Sequence, residues 1–304
     1  MDGQLDDFPV RVRVVDADRL DRDSFDPAVP LIVHGVLDRA RAKWTDDWLL
    51  DRFGDDRCQV SLDSRTARRA HETQVPLARF LESMKKADGA ADDVPAYLFH
   101  SSVGSDAAED LLDDLDIPQP IVELGVPSLH RFFVGPVFSG TLPHFHTHAV
   151  NALSRGRKRW AIYEGKNARV TAALMRRSLR DFGSGSQAYD WFQSECATLR
   201  HRPMVRLWEF VQEAGDLVYI PGGLIHAVVN LAPVVGFTVE FEPEEAALEP
   251  IAVGAGQRAA RGPWSAGPRL PGPRLPGPRF PGPRLPGLRP GVRNPRASWY
   301  RGGI

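Results

Sequence analysis

Three of the chain's nine histidines, His144, His146 and His148, stand at alternate positions within Thr141–Tyr163. In an extended strand alternate side chains leave on one face, so any two neighbours of the three can grip one ion. Two imidazoles are too few for a stable site, and a third ligand is expected from elsewhere in the fold. The best candidate is His226, which lies in Asp216–Leu231 just beyond a Pro-Gly-Gly turn that separates two apolar strand patterns. A His-x-His pair joined by a distant strand histidine is a common way for a β-barrel to hold a divalent metal on one side.

A second group with chemical potential follows at Gly156–Tyr163, GRKRWAIY. Taken alone, such a basic run is most simply a solvated face or a localisation signal. Strand alternation says more. Lys158, Trp160 and Ile162 share one face, while Arg157, Arg159, Ala161 and Tyr163 share the other. Lys158 is therefore aligned with two large apolar groups that belong inside. A buried ammonium needs an anion beside it, and a dicarboxylate small molecule would supply one, with Asn151 adding an amide donor.

The elements that must position these groups are legible in part. Val10–Val15 and Pro30–Leu37 read as short strands, and Ala96–Phe99 as another. Asp46–Phe53, behind Thr45, reads as a helix with an acidic first turn. Pro76 opens a second helix with Leu77, Phe80, Leu81 and Met84 on one stripe, which is core and carries no chemistry. Asp106–Asp116 reads as an acidic surface helix, since it lacks the oxygen-ligand spacing of a calcium loop. From Arg131 the period changes to two. A helix is expected over 167–181, then Ala188–Phe192 and Val205–Val211, with strands returning up to Glu242. The body is mainly β with flanking helices.

Composition sets limits on the rest. The 304 residues include seven tryptophans, enough for one substantial core or two modest ones. No apolar run approaches membrane-spanning length and Met1–Asp7 is polar, so neither a span nor a signal peptide is visible. Cys58 and Cys196 lack metal or redox spacing and read as free buried thiols of a cytoplasmic protein. Net charge is −1, but residues 251–304 hold ten arginines and no acid, which leaves −11 on the first 250 residues. From Gly267 the pentad Gly-Pro-Arg-Leu-Pro recurs, with Phe280 replacing Leu once. Proline at that density forbids helix and sheet ladders, so 246–304 reads as a disordered, polyproline-biased tail.

The motifs together resemble a known family. GT at 140–141, H-x-H at 144–146, NAL at 151–153, GRKRW at 156–160, IPGGLIH at 220–226, VVNL at 228–231 and GFT at 236–238 are similar to those of Jumonji-C (JmjC), cupin-like oxygenases. They are nearest to the phosphatidylserine-receptor-type lysyl hydroxylase branch. The resemblance implies a double-stranded β-helix, or jelly roll, over 131–245, with 1–130 as an N-terminal α/β portion packed on it. It implies Fe(II) held by His144, His146 and His226, and 2-oxoglutarate contacted by Thr141, Asn151, Lys158 and Thr238. His148 would stand beside the ligands or on the surface. One position departs from the family's His-x-Asp pair. His146 replaces the carboxylate, which leaves the site one unit more positive; three imidazoles hold iron and also suit zinc or another divalent ion.

Two function classes follow. One is an oxygenase that hydroxylates a protein side chain or small molecule. The other is a catalytically silent metal-binding cupin module that works by binding partners. Retention of Lys158, Asn151 and Thr238 favours the enzyme, because a decayed site has little reason to keep a cosubstrate pocket. No membrane partner is indicated. The tail either samples its own acidic body or docks an acidic partner. Arginines five residues apart on polyproline stand about 15 Å apart, too sparse for tracking phosphates, so nucleic acid is the weaker option. Truncation after Glu249 should leave metal binding unchanged and remove any salt-sensitive association with acidic ligands; loss of metal or of the fold would place the tail in the core.

Overall fold

The computed structural model describes residues 12–61, 72–86, 97–100, 105–182 and 188–243. The Arg/Pro tail and the start of the Val10–Val15 patch lie outside them. From Val126 the chain shuttles between two facing sheets. Strands β6 (Val126–Gly135), β8 (His148–Arg155), β11 (Leu217–Ile220) and β13 (Val234–Glu242) join the large sheet in the order β11-β8-β13-β6. Strands β7 (Gly140–His144), β9 (Arg157–Gly165), β10 (Val205–Glu213) and β12 (Ile225–Asn230) form the small sheet in the order β10-β9-β12-β7. All neighbours within these two groups of four are antiparallel. This is the double-stranded β-helix expected from the motifs.

The large sheet continues past the barrel on both sides. β1 (Arg13–Asp16) and β2 (Leu31–His34) extend it beyond β11, while β5 (Tyr97–His100), β3 (Arg57–Ser61) and β4 (Glu72–Pro76) extend it beyond β6. One hydrogen-bonded sheet of nine strands thus runs through the barrel and the N-terminal part. Of these outer strands, β3 and β4 carry too little apolar alternation to be seen in the sequence. Helices α1 (Asp38–Lys43), α2 (Asp46–Phe53), α3 (Leu77–Lys86), α4 (Ser105–Asp113) and α5 (Gln119–Val122) belong to the N-terminal part. The helix expected behind Thr45 is α2, and Thr45 caps it by accepting from the Trp48 amide at 3.2 Å. Between β9 and β10 come α6 (Ala168–Phe182), α7 (Ala188–Trp191), a π-turn over Phe192–Cys196, and α8 (Ala197–Arg200). No helix among the described residues is long and apolar enough to cross a membrane.

Burial follows the alternation of each strand. Ala149, Trp160, Ile162, Trp208, Phe210, Val218, Ile220 and Val228 fill the space between the two sheets. The outer face of the large sheet buries Val150, Ala152, Tyr219, Phe237 and Val239 against α1, α2 and their neighbours. The outer face of the small sheet buries Ala161, Tyr163, Leu207, Ile225 and Ala227 against Leu174, Trp191, Phe192 and Leu199. The β8–β9 turn needs its glycine. Gly156 has φ +91°, and a Cβ there would sit 2.2 Å from the Pro233 carbonyl oxygen.

Two ion pairs on the small sheet differ sharply in setting. Glu209 is fully buried and accepts from Arg159 Nε at 2.8 Å and from Arg200 Nε and Nη2, each at 2.7 Å, so it ties β9, β10 and α8 together. Glu213 meets Arg157 Nε at 2.9 Å with both side chains half exposed. Removing one partner of a buried pair strands charge away from water, whereas an exposed pair only exchanges one solvated state for another. Glu209→Ala should cost about 3–5 kcal/mol and Glu213→Ala about 0–1 kcal/mol, read as shifts in the midpoint of urea unfolding. Equal shifts would contradict this division.

Candidate metal centre and cosubstrate pocket

The three histidines reach one point by different routes. β7 ends at His144, β8 starts at His148, and His146 sits on the connection between them rather than on a continuous strand. β12 runs antiparallel to β7 and sets His226 opposite His144. The pairing contains an irregularity that decides where His144 points. On β12, His226 and Val228 are two apart; their partners on β7, His144 and Thr141, are three apart. The extra residue is a β-bulge, and it shifts the alternation by one. Leu142 faces the helices outside, while Thr141 and His144 both face the barrel interior.

The ligating atoms of His144, His146 and His226 all lie within 4.8 Å of one another. Ring centres are 4.2 Å apart for His144 and His226, 4.5 Å for His146 and His226, and 5.6 Å for His144 and His146. Each Nδ1 lies against a backbone carbonyl: Leu142 at 2.8 Å, Thr147 at 2.7 Å and Leu224 at 3.1 Å. A carbonyl oxygen can only accept, so each Nδ1 carries the proton and each Nε2 presents a lone pair. Burial, with the His146 ring and Arg131 adding to it, pushes His144 down to about 3. Burial, with Arg131 adding to it, takes His146 to about 4. Burial and the other two rings hold His226 well below the usual histidine range. The imidazoles stay neutral at physiological pH, which is the form that binds metal. Three neutral nitrogens facing one point fit a divalent ion.

His148 does other work. Its Nδ1 accepts from the Gly222 amide at 3.1 Å and lies 2.7 Å from the Tyr219 hydroxyl, which donates to the Pro27 carbonyl at 2.9 Å. The Gly223 amide donates to the His146 carbonyl at 2.8 Å. Together these bonds fasten the turn before His226 to the segment carrying His146, so the distant ligand is held in register with the local pair.

Deeper in the barrel, Lys158 stands opposite Asn230 on β12 and Gln212 on β10. It is four residues from Ile162, the partner of His226, and so about 13 Å from that level along the strand. Its side chain is 1 % exposed, with Nζ 3.3 Å from the Phe133 ring centre. Burial lowers its pKa well below the ordinary lysine value. Among the described residues no carboxylate lies within ion-pair distance of Nζ. On the facing wall Asn151 Nδ2 donates to Thr238 Oγ1 at 2.7 Å, and Asn151 Oδ1 is buried without a donor. Exchanging the ends of that amide keeps the Thr238 bond, because a hydroxyl both donates and accepts, and leaves two N–H donors for an anion. A buried ammonium and a reversible amide fit a dicarboxylate. The structure thus brings Lys158, Asn151 and Thr238 into one interior, with Thr141 on β7 facing the same space.

Three interior residues escaped the sequence reading. Arg131 on β6 lies opposite Thr238 and meets Glu240 at 3.1 Å, with both side chains about 10 % exposed. Gln212, fully buried, accepts from Trp160 Nε1 at 2.9 Å and donates to the carbonyls of Asn151 at 2.9 Å and Asp216 at 3.0 Å. The signal was available: in Phe237–Glu242 the polar Thr238 and Glu240 alternate with Phe237, Val239 and Phe241, and in Arg131–Phe133 the arginine shares a face with Phe133. The surface groove between α6 and the Arg202–Val205 turn touches none of these groups.

His226→Ala should abolish stoichiometric metal in a folded protein, measured by metal analysis beside circular dichroism. His148→Ala should keep one metal per chain and loosen the turn. Loss of metal on removing His148 but not His226 would put the ligand set in error.

Residues 131–241 match the family model described as "JmjC domain, hydroxylase". The chain is 27 % identical over 240 residues to Lysine-specific demethylase JMJ21 of Arabidopsis thaliana, a match covering 73 % of this chain and 24 % of the relative. It is 23 % identical over 237 residues to Arginine-specific demethylase JMJ22 of the same plant, covering 71 % of this chain and 42 % of the relative. With JmjC domain-containing protein 8 of Homo sapiens it is 25 % identical over 207 residues, covering 66 % of this chain and 72 % of that protein. The match therefore spans about a quarter of one plant relative and about two fifths of the other. The matched region is the barrel that carries the histidines, and over that region the chain is similar to JmjC domains.

Proposed function

We propose that the chain is an Fe(II)- and 2-oxoglutarate-dependent oxygenase that hydroxylates a protein side chain or a small molecule. One observation carries this reading: a single barrel interior holds three Nε2 donors in ligating form and a buried lysine lacking a carboxylate partner among the described residues. Bound iron with 2-oxoglutarate supplies the oxidising power to break a substrate C–H bond. The chain's own residues bind, orient and exclude water. His144, His146 and His226 would hold the metal. Lys158 would hold the distal carboxylate, which in turn favours the charged ammonium that burial alone disfavours. Asn151 and Thr238 would flank it, with Thr141 on the opposite wall. Trp160 and Phe133 keep this end of the barrel dry, so the charge pair stays strong.

Two relatives are named for lysine- and arginine-specific demethylation. We take a basic protein side chain as the first substrate class to test. Removing an N-methyl group begins with hydroxylation of its carbon, so hydroxylase and demethylase place the same demand on the site. The buried free thiols Cys58 and Cys196 suit a reducing compartment, and we place the protein in the cytoplasm. His146 at the carboxylate position favours a second reading, a metal-holding module that acts by binding partners without turnover.

The two readings separate on measurement. With Fe(II), O₂ and a lysine- and arginine-rich peptide, the enzyme should convert 2-oxoglutarate to succinate; full metal occupancy without succinate would favour the silent module. Lys158→Ala should weaken 2-oxoglutarate by roughly a hundredfold or more, as expected when one partner of a buried charge pair is removed. An unaltered dissociation constant would remove the lysine from the pocket. His146→Asp should raise turnover if the three-histidine site is a weakened oxygenase. If it loses metal and activity together, the three-histidine form is the working one.

A further inference from the structure

Arg131 occupies the middle of the pocket wall, and neither the motifs nor the proposed roles above use it. Cross-strand pairing sets Arg131, Thr238 and Asn151 in one row over β6, β13 and β8. Paired residues share a face, so the guanidinium belongs to the barrel interior beside the Asn151–Thr238 hydrogen bond. One step deeper on β6 is Phe133, whose ring lies under Lys158 Nζ. One step the other way on β13 is Glu240, opposite Ala149, toward the end where β7 closes on His144 and β8 opens at His148. Arg131 therefore stands between the lysine level and the histidine level.

A guanidinium on the wall of a site that would hold a divalent ion is favourable only where anions lie between the two. Glu240 is one such anion, at 3.1 Å from Nη1. The ligand set supplies none, because position 146 is an imidazole rather than a carboxylate. A 2-oxo acid carboxylate bound toward the metal end would lie between the guanidinium and the ion.

Building on the 2-oxoglutarate reading, we infer that Arg131, braced by Glu240, is a cosubstrate-binding residue that takes the 2-oxo-acid carboxylate, while Lys158 takes the distal one. The two cations then clamp the two ends of one dicarboxylate.

The test is calorimetry on the full chain loaded with Mn(II), with 2-oxoglutarate and with 2-oxobutyrate, which keeps the 2-oxo-acid end and lacks the distal carboxylate. Arg131→Gln combined with Glu240→Gln avoids a stranded carboxylate. This double variant should keep one metal per chain and lose roughly ten- to a hundredfold in affinity for both ligands, the range for a hydrogen bond to a charged group. Arg131→Lys should recover part of that loss. Lys158→Ala should lose 2-oxoglutarate and leave 2-oxobutyrate unchanged. If wild type binds 2-oxoglutarate and the double variant binds it equally well, the Arg131 role is overturned and the cosubstrate reading stands. A loss confined to 2-oxoglutarate would move Arg131 to the distal end, and loss of metal would make it structural; both overturn the inference. If wild type binds neither ligand, the cosubstrate reading itself fails.

Discussion

Three backbone carbonyls, those of Leu142, Thr147 and Leu224, decide what the centre can be. Each accepts the Nδ1 proton of one histidine and so turns an Nε2 lone pair toward a common point. Without those bonds each ring could adopt either tautomer and rotate, and metal binding would have to pay for ordering three side chains. Burial adds the second half by keeping the rings neutral. The fold supplies the rest through strand geometry: the β7 bulge faces His144 inward, and the bonds from the Gly222 and Gly223 amides hold the turn of His226 against the His146 segment.

The interior charges follow one logic. Buried charge is tolerated where it is paired, as Glu209 is by Arg159 and Arg200 on the outer face of the small sheet. Lys158, on the inner face of the same sheet, has an aromatic ring against its Nζ and, among the described residues, no carboxylate within ion-pair distance. A group held this way costs stability unless a ligand arrives, which is the expectation for a binding residue rather than a structural one. Arg131 with Glu240 is the intermediate case, a charged pair placed against a site whose ligands carry no charge.

Much of this was readable from residue order. The switch to period two at Arg131, the inward face of Lys158, Trp160 and Ile162, the Thr45 cap and the helix after Tyr163 all follow from local patterns that the folded chain keeps. The trio is a different matter. Alternate spacing suggested His144, His146 and His148 on one strand, and resemblance chose 144 and 146. The physical reason lies in a bulge and a strand break, which depend on the partner strand and leave only Pro143 and the odd Thr141–His144 spacing as traces. Strands β3 and β4 were missed because they are short and polar and owe their order to the sheet edge they join. Arg131 and Glu240 were missed because their significance comes from a pairing across more than a hundred residues.

The central claim is that one barrel holds metal and 2-oxoglutarate together. Anaerobic titration of the full chain with Fe(II) and then 2-oxoglutarate tests it most directly, by watching for the visible charge-transfer absorption of a 2-oxo acid chelated to iron. The account predicts that the band grows to saturation at one equivalent of each. Stoichiometric iron with no band on adding 2-oxoglutarate would contradict it.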